Sequence, residues 1–287
     1  MIATVFLAFS GSGLSADEDA IGKAIRDVPI FDAHMHYKQP AWEPYPVATV
    51  IELMDHNGVA MALVSSTPDE GTIKLWEYAP GRIVPELRPY HGDAGPVNWT
   101  KAVGMEDYLR DRLRRYPHEG IGEFHIHQLD PDDRSLLVAV AKMARQRGVP
   151  LHIHSGAEQV RYFFTIDPGV TIIWAHAGMS EPADVVGEML DTYPTLYADT
   201  SHRERDILSH DESISTDWRR VINRHADRLM VGSDTWINAQ WDDYDGVMAI
   251  NRRWLALLPR ETAEKIAFRN AARLFGREVS IKLLGTR

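Results

Sequence analysis

Residues 28–36 read Val-Pro-Ile-Phe-Asp-Ala-His-Met-His. An apolar run that closes on two histidines two residues apart reads as a buried strand with a polar C-terminal tip. Runs of the same kind recur at Val59–Ser66, Ile83–Pro89, Gly120–His127, Val149–Ser155, Val170–His176, Thr195–Thr200 and Arg228–Asp234. Segments of helical period lie between them. Val47–His56 sets Val47, Val50, Ile51 and Met54 on one face. Met105–Tyr116, Ser135–Arg147, Ala183–Thr192, Trp218–His225 and Tyr244–Leu258 follow, and the faintest pattern is near Gly71–Tyr78. Each crossover helix returns the chain to the same end of the sheet, so the strands pair in parallel. Eight such units in roughly 250 residues match an α/β fold of the (β/α)8 TIM-barrel type. Glu261–Phe275 adds a C-terminal amphipathic helix through Ile266, Ala267, Ala271 and Leu274. A dinucleotide-binding fold fails at the first strand, because Phe31-Asp32-Ala33-His34 offers no Gly-rich phosphate loop. No linker breaks the rhythm, so residues 28–276 read as one barrel domain.

Composition narrows the function. The chain has 13 histidines and no cysteine among 287 residues. A disulfide scaffold, a zinc-thiolate site and a cysteine nucleophile are thereby excluded. A formal charge of -10 argues against nucleic acid or an anionic membrane as partner. No apolar run approaches the ~20 residues that span a bilayer. Residues 1–16 resemble a secretory signal: Ile2–Phe9 is apolar, small residues follow, and the acidic stretch begins at Asp17. Two features depart from that pattern, since no Lys or Arg precedes Lys23 and Leu14 is not small. The segment implies an exported chain, periplasmic or secreted, if it is removed, and a cytoplasmic one otherwise. Coiled-coil heptads are absent, and a homo-oligomer through barrel helices is compatible with the sequence.

Active-site residues of such barrels sit at the C-terminal ends of the strands. There the histidines concentrate. Strand 1 ends His34-Met35-His36 and strand 5 ends His152-Ile153-His154. Residues i and i+2 share a face, so each pair can turn two imidazoles inward. Strand 6 ends at His176 and strand 8 at Gly232-Ser233-Asp234, while strand 4 places Glu123, His125 and His127 on one face. Imidazole and carboxylate suit a borderline divalent ion such as Zn2+, with Mn2+ also compatible. Simpler readings stand beside this one. His152 lies one layer deeper and reads as a satisfied core histidine, His127 as a solvated loop residue, and Asp234 alone could cap a helix.

The ordered set Phe31-Asp32-Ala33-His34-Met35-His36, Gly120-Ile121-Gly122-Glu123, Leu151-His152-Ile153-His154, Trp174-Ala175-His176-Ala177-Gly178, Gly232-Ser233-Asp234 and Asn270-Ala271-Ala272-Arg273-Leu274-Phe275 resembles the amidohydrolase superfamily. Within it, the likeness is to the amidohydrolase-related, metal-dependent hydrolases of TIM-barrel fold. The resemblance implies that His34, His36, His154 and Asp234 hold a metal, with His176 a ligand of a second ion or an electrophile over the substrate. Many binuclear members carry a carboxylated Lys at the end of strand 4. This chain has none, and Glu123 or His125 could take that place. One or two ions are therefore both open.

Such a site would hydrolyse an amide, lactone or ester of a small molecule. Metal-activated water attacks, Asp234 takes and returns the proton, and His176 polarises the carbonyl. Arg88, His125 and His202 are candidate substrate-binding residues. Arg88 could clamp a carboxylate or form a structural ion pair. Trp42, Trp236 and Trp241 could form an aromatic wall, and Asp199 could line the mouth or cap a turn. The alternative activity is metal-dependent decarboxylation of an aromatic or unsaturated acid. A metal-binding protein without catalysis is a third reading, disfavoured by an acid facing the metal.

Overall fold

The computed structural model describes residue 25 and residues 27–279, so the signal-like segment at 1–16 lies outside the described residues. Eight parallel strands follow one another in chain order around the sheet. They are β1 (Ile30–His36), β2 (Val59–Ser65), β3 (Ile83–Leu87), β4 (Gly120–His125), β5 (Leu151–His154), β6 (Ile172–Trp174), β7 (Leu196–Asp199) and β8 (Leu229–Met230). Backbone bonds from Ala33 N to Val231 O and from Ser233 N to His34 O carry the last strand onto the first. The TIM barrel is thus present.

Helices lie between the strands, and most match the sequence pattern. α1 (Val47–His56), α2 (Glu70–Tyr78), α3 (Met105–Arg115) and α4 (Arg134–Arg147) cross over in the first half. α5 (Ala157–Ile166), α6 (Ala183–Thr192), α7 (Glu204–Ile207) and α8 (Thr216–His225) cross over in the second. α9 (Asn238–Asp242) and α10 (Tyr244–Leu255) follow β8. The faint segment near Gly71 is a full helix. α5 was not anticipated, although Ala157, Val160, Phe163 and Phe164 are buried at helical spacing. Its aromatic and β-branched residues have modest helix propensity, and packing supplies the rest. The expected terminal helix forms as α11 (Arg260–Glu264), one π turn (Lys265–Arg269) and α12 (Asn270–Leu274). It is anchored by Asn270 Nδ2, which donates to the carbonyls of Ala226 and Leu229 at 2.6 and 2.7 Å. No helix of the described residues is long and apolar enough to cross a membrane.

The last strand is shorter than the run Arg228–Asp234 suggests. After Met230 the chain leaves the ladder and folds over β1. Gly232 permits this approach: a Cβ there would lie 2.7 Å from His34 Cβ. Ser233 N then donates to Asp32 Oδ1 at 2.9 Å, which sets the direction of Asp234.

Beneath the mouth lies a buried polar layer. His152 sits between Glu86 Oε2 at 3.1 Å and Asp199 Oδ2 at 3.2 Å, the satisfied core position read from its depth. Burial disfavours its charged form, but Glu86 and Asp199 outweigh that and raise its pKa to about 9.

Two outcomes follow. Gly232→Ala overpacks the contact with His34, at about 1–3 kcal/mol. Thermal unfolding is expected to show a fall of roughly 3–10 °C, whereas Gly81→Ala, with open space around it, leaves Tm unchanged. His152 contributes stability that is complete below its unfolded pKa near 6.5 and is lost as pH rises through about 9. Urea unfolding from pH 6 to 9.5 is expected to show the gap between wild type and His152→Gln narrowing across that window. A gap that widens with pH would refute the assignment.

Candidate metal centre

Strand tips bring six sequence-predicted residues to one point. His34 Nε2 and His36 Nε2 face each other at 3.1 Å. Asp234 Oδ1 lies 3.5 Å from the first and 3.1 Å from the second. Glu123 reaches both, with Oε1 3.8 Å from His34 Nε2 and Oε2 3.3 Å from His36 Nε2. On its other side, Glu123 Oε1 is 2.6 Å from His154 Nδ1 and 3.6 Å from His176 Nε2. Two trios with the spacing of metal ligands share Glu123, His34–His36–Glu123 and Glu123–His154–His176, and a third is His34–His176–Asp199. His176 and Asp234 both have left-handed backbone, φ 55° and 47°. That conformation costs a non-glycine residue about 1–3 kcal/mol and is concentrated at functional sites.

The hydrogen bonds outside the cluster decide which nitrogens face inward. His34 Nδ1 lies 3.2 Å from Asp199 Oδ2, and His36 Nδ1 lies 2.8 Å from the Ser65 carbonyl. Carboxylates and carbonyls only accept, so Nδ1 of each donates and Nε2 is left toward the centre. His176 Nδ1 is held by Ser201, 2.8 Å from Oγ, and its buried Nε2 has no hydrogen-bond partner among the described residues. An orphaned inward nitrogen beside two carboxylates is what a cation would satisfy.

Electrostatics agree. Burial works against the carboxylate of Glu123, yet Arg88 and His34 hold it well below its ordinary range. Asp199 and Asp234 are likewise buried and likewise held low, chiefly by His34. In return these three carboxylates overcome the burial of His34 and hold its imidazolium well above the usual pKa. The excess negative charge that favours a proton on His34 favours a divalent cation among the same atoms. The donors are nitrogen and oxygen only, which fits Zn2+ or Mn2+.

The three candidate substrate residues meet different fates. Arg88 Nη2 donates to Glu123 Oε2 at 2.6 Å and its Nε to the Glu123 carbonyl at 3.0 Å, the ion-pair alternative. His125 stacks on His154 at a ring distance of 4.0 Å, and burial lowers its pKa to about 3. Tyr90 receives the His125 N–H on its hydroxyl and returns a contact to Nδ1, both at 2.8 Å. His202 lies 3.0 Å from Asp234 Oδ2, and that bond raises its pKa. His127 is exposed. Of the three tryptophans, Trp241 is buried in the shell and Trp42 donates to the Tyr37 carbonyl. Only Trp236 lines the cavity above the cluster.

Sequence reasoning gave Asp199 too little. Its Oδ2 takes His34, His152 and the backbone N–H of His176, and its Oδ1 takes Ser201. A strand-end carboxylate resembles a cap, and nothing local marks it as shared by three strands. Ser65, Ser201, Glu86 and Tyr90 likewise act through contacts with residues of other strands. Lys38 was missed although it follows the His34–His36 pair by two residues.

The structure is similar to solved barrels of low sequence identity. An uncharacterised TIM-barrel protein from Bordetella bronchiseptica shares 15% identity, with TM-score 0.59 and 91% of each chain covered. A candidate 2-pyrone-4,6-dicarboxylic acid hydrolase from Pseudomonas putida shares 16%, with TM-score 0.59, covering 88% of this chain and 99% of that one. The phosphotriesterase homology protein of Escherichia coli shares 13%, with TM-score 0.60 and coverage of 86% and 98%. No curated protein matches in sequence. The amidohydrolase family model matches residues 97–277, more than half of the chain and most of its barrel. The chain belongs to the amidohydrolase family and is a metal-dependent hydrolase.

Proposed function

We propose that this protein cleaves an amide, lactone or ester of a small molecule, using His34, His36, His154, Glu123 and Asp234 to hold a divalent cation. The observation that carries this reading is the convergence of Asp234 Oδ1 and the Glu123 carboxylate, at 3.1–3.8 Å, on the paired Nε2 atoms of His34 and His36. Bound there, Zn2+ or Mn2+ supplies Lewis acidity and acidifies water. Glu123 belongs to both trios, so His154 and His176 would be the residues to hold a second ion where two are bound.

The chain's own groups do the remaining work. Asp234 is ionised at neutral pH and faces the centre, so it accepts the proton of the attacking water and returns it to the leaving group. His176 is buried and its pKa is lowered, chiefly by that burial. It is neutral, with Nε2 aimed at the cluster. Arg88 keeps Glu123 ionised and in place. The cavity of about 390 Å³ sits at the small end of ligand pockets, which run ~300–1,000 Å³, and suits a small molecule rather than a polymer. A decarboxylase would also need a cation for the substrate carboxylate, and Arg88 is engaged with Glu123. In this reading residues 28–276 form the catalytic barrel domain.

The test is a panel of lactones, dipeptides and aryl esters given to the full chain loaded with Zn2+ or Mn2+. Metal-dependent hydrolysis is expected, and carbon dioxide release from hydroxybenzoates without hydrolysis overturns the reading. Asp234→Asn is expected to lower kcat by roughly 10²–10⁴, with metal content assayed alongside. Turnover at the wild-type level would remove Asp234 as the base. Metal at about a hundred times its Kd should raise Tm by roughly 5–10 °C over chelated protein. No change in Tm or in bound metal would argue against the centre.

A further inference from the structure

Two cationic side chains, Arg88 and Lys38, reach the cavity above the cluster. Their situations differ. The Arg88 guanidinium is buried, bonded twice to Glu123 and stacked on the Tyr90 ring at 4.6 Å. Its charge and its fork are committed. Lys38 is only partly buried, and its ammonium has no hydrogen bond and no ion pair within the described residues. It lies over the Trp236 ring, whose centroid is 5.7 Å from Nζ, and Glu123 and Asp234 act on it only at longer range. Trp236 itself is 48% exposed, a large flat apolar surface left open at the mouth.

A surface lysine without a partner is ordinary, because water solvates it. Lys38 differs in place. It lines the same cavity as His36 and Asp234, beside Thr67, Pro96 and Met179, and such walls give an ammonium few partners. Filling the cavity strips water from Nζ, and an uncompensated charge is then costly. A substrate with its own anion removes that cost. The other charged groups facing the space are Glu123 and Asp234, and both are engaged in holding the metal in the proposed function. A lone ammonium is a point charge, suited to a single carboxylate.

We propose that Lys38 is a specificity-determining residue, holding a carboxylate substituent of a small ring-bearing substrate whose flat face lies on Trp236. The inference rests on the hydrolase reading only in placing the substrate in this cavity. Arg88, the sequence-based candidate for that role, is a positioning residue for Glu123 instead.

The test uses binding, so it does not depend on turnover. Benzoate and benzene-1,3-dicarboxylate are titrated calorimetrically into the Zn2+-loaded full chain, beside benzamide and benzene-1,3-dicarboxamide. A charge-assisted contact in a partly dry cavity predicts that at least one acid outbinds its amide by roughly tenfold. Lys38→Met should remove that preference while leaving amide affinity and zinc content unchanged, and Lys38→Arg should retain most of it. The proposal is overturned if neither acid outbinds its amide in the wild type. It is also overturned if Lys38→Met keeps the preference, or weakens acid and amide alike. The two readings fail separately. Hydrolysis without acid preference sinks this inference alone, and acid preference without any hydrolysis sinks the hydrolase reading alone.

Discussion

The carboxylate of Asp199 accepts from His34 Nδ1 and His152 Nε2 and from the backbone N–H of His176. It is fully buried, and burial alone would raise its pKa. The imidazoles around it reverse that and keep it ionised. One anion from β7 therefore orients a histidine of β1, supports the layer below through β5 and pins the turn after β6. Losing it would leave His34 free to turn and a buried polar layer unpaired, a costly combination in a low-dielectric interior.

The same logic repeats one layer up. Glu123 belongs to both trios and is held ionised first by Arg88 and then by His34. Arg88 cannot serve the substrate while it serves Glu123. The charge left for recognition is then Lys38, on the rim with Trp236. On the proposed reading, catalytic floor and recognition rim are separated by which cation already has an anion. Left-handed backbone at His176 and Asp234 belongs to the same economy of space, since both side chains must turn inward where their strands have ended.

Much of this was legible in the chain. The period-two placement of His34 and His36 followed from strand geometry, and the barrel followed from eight apolar runs separated by helical segments. The structure brings these two together with Glu123, His154, His176 and Asp234. Less legible were features that depend on another strand. Asp199 resembles a cap until three strands are seen to share it. Arg88 carried two readings of equal standing until Glu123 was found 2.6 Å away. α5 was missed because its aromatic residues hide a helical spacing that only packing makes decisive.

Architecture and the kind of chemistry follow from the chain's own residue order. Residue type and spacing along one strand are local properties, and parallel pairing through helices leaves few ways to assemble eight such units. The absence of cysteine confined the centre to nitrogen and oxygen donors. What tertiary structure alone decided is the division of labour among charges. Whether an Arg, an Asp or a Lys is spoken for depends on distances of a few ångströms between residues tens of positions apart. Coulomb energy and desolvation are set by those distances and by burial, and neither is written in local sequence.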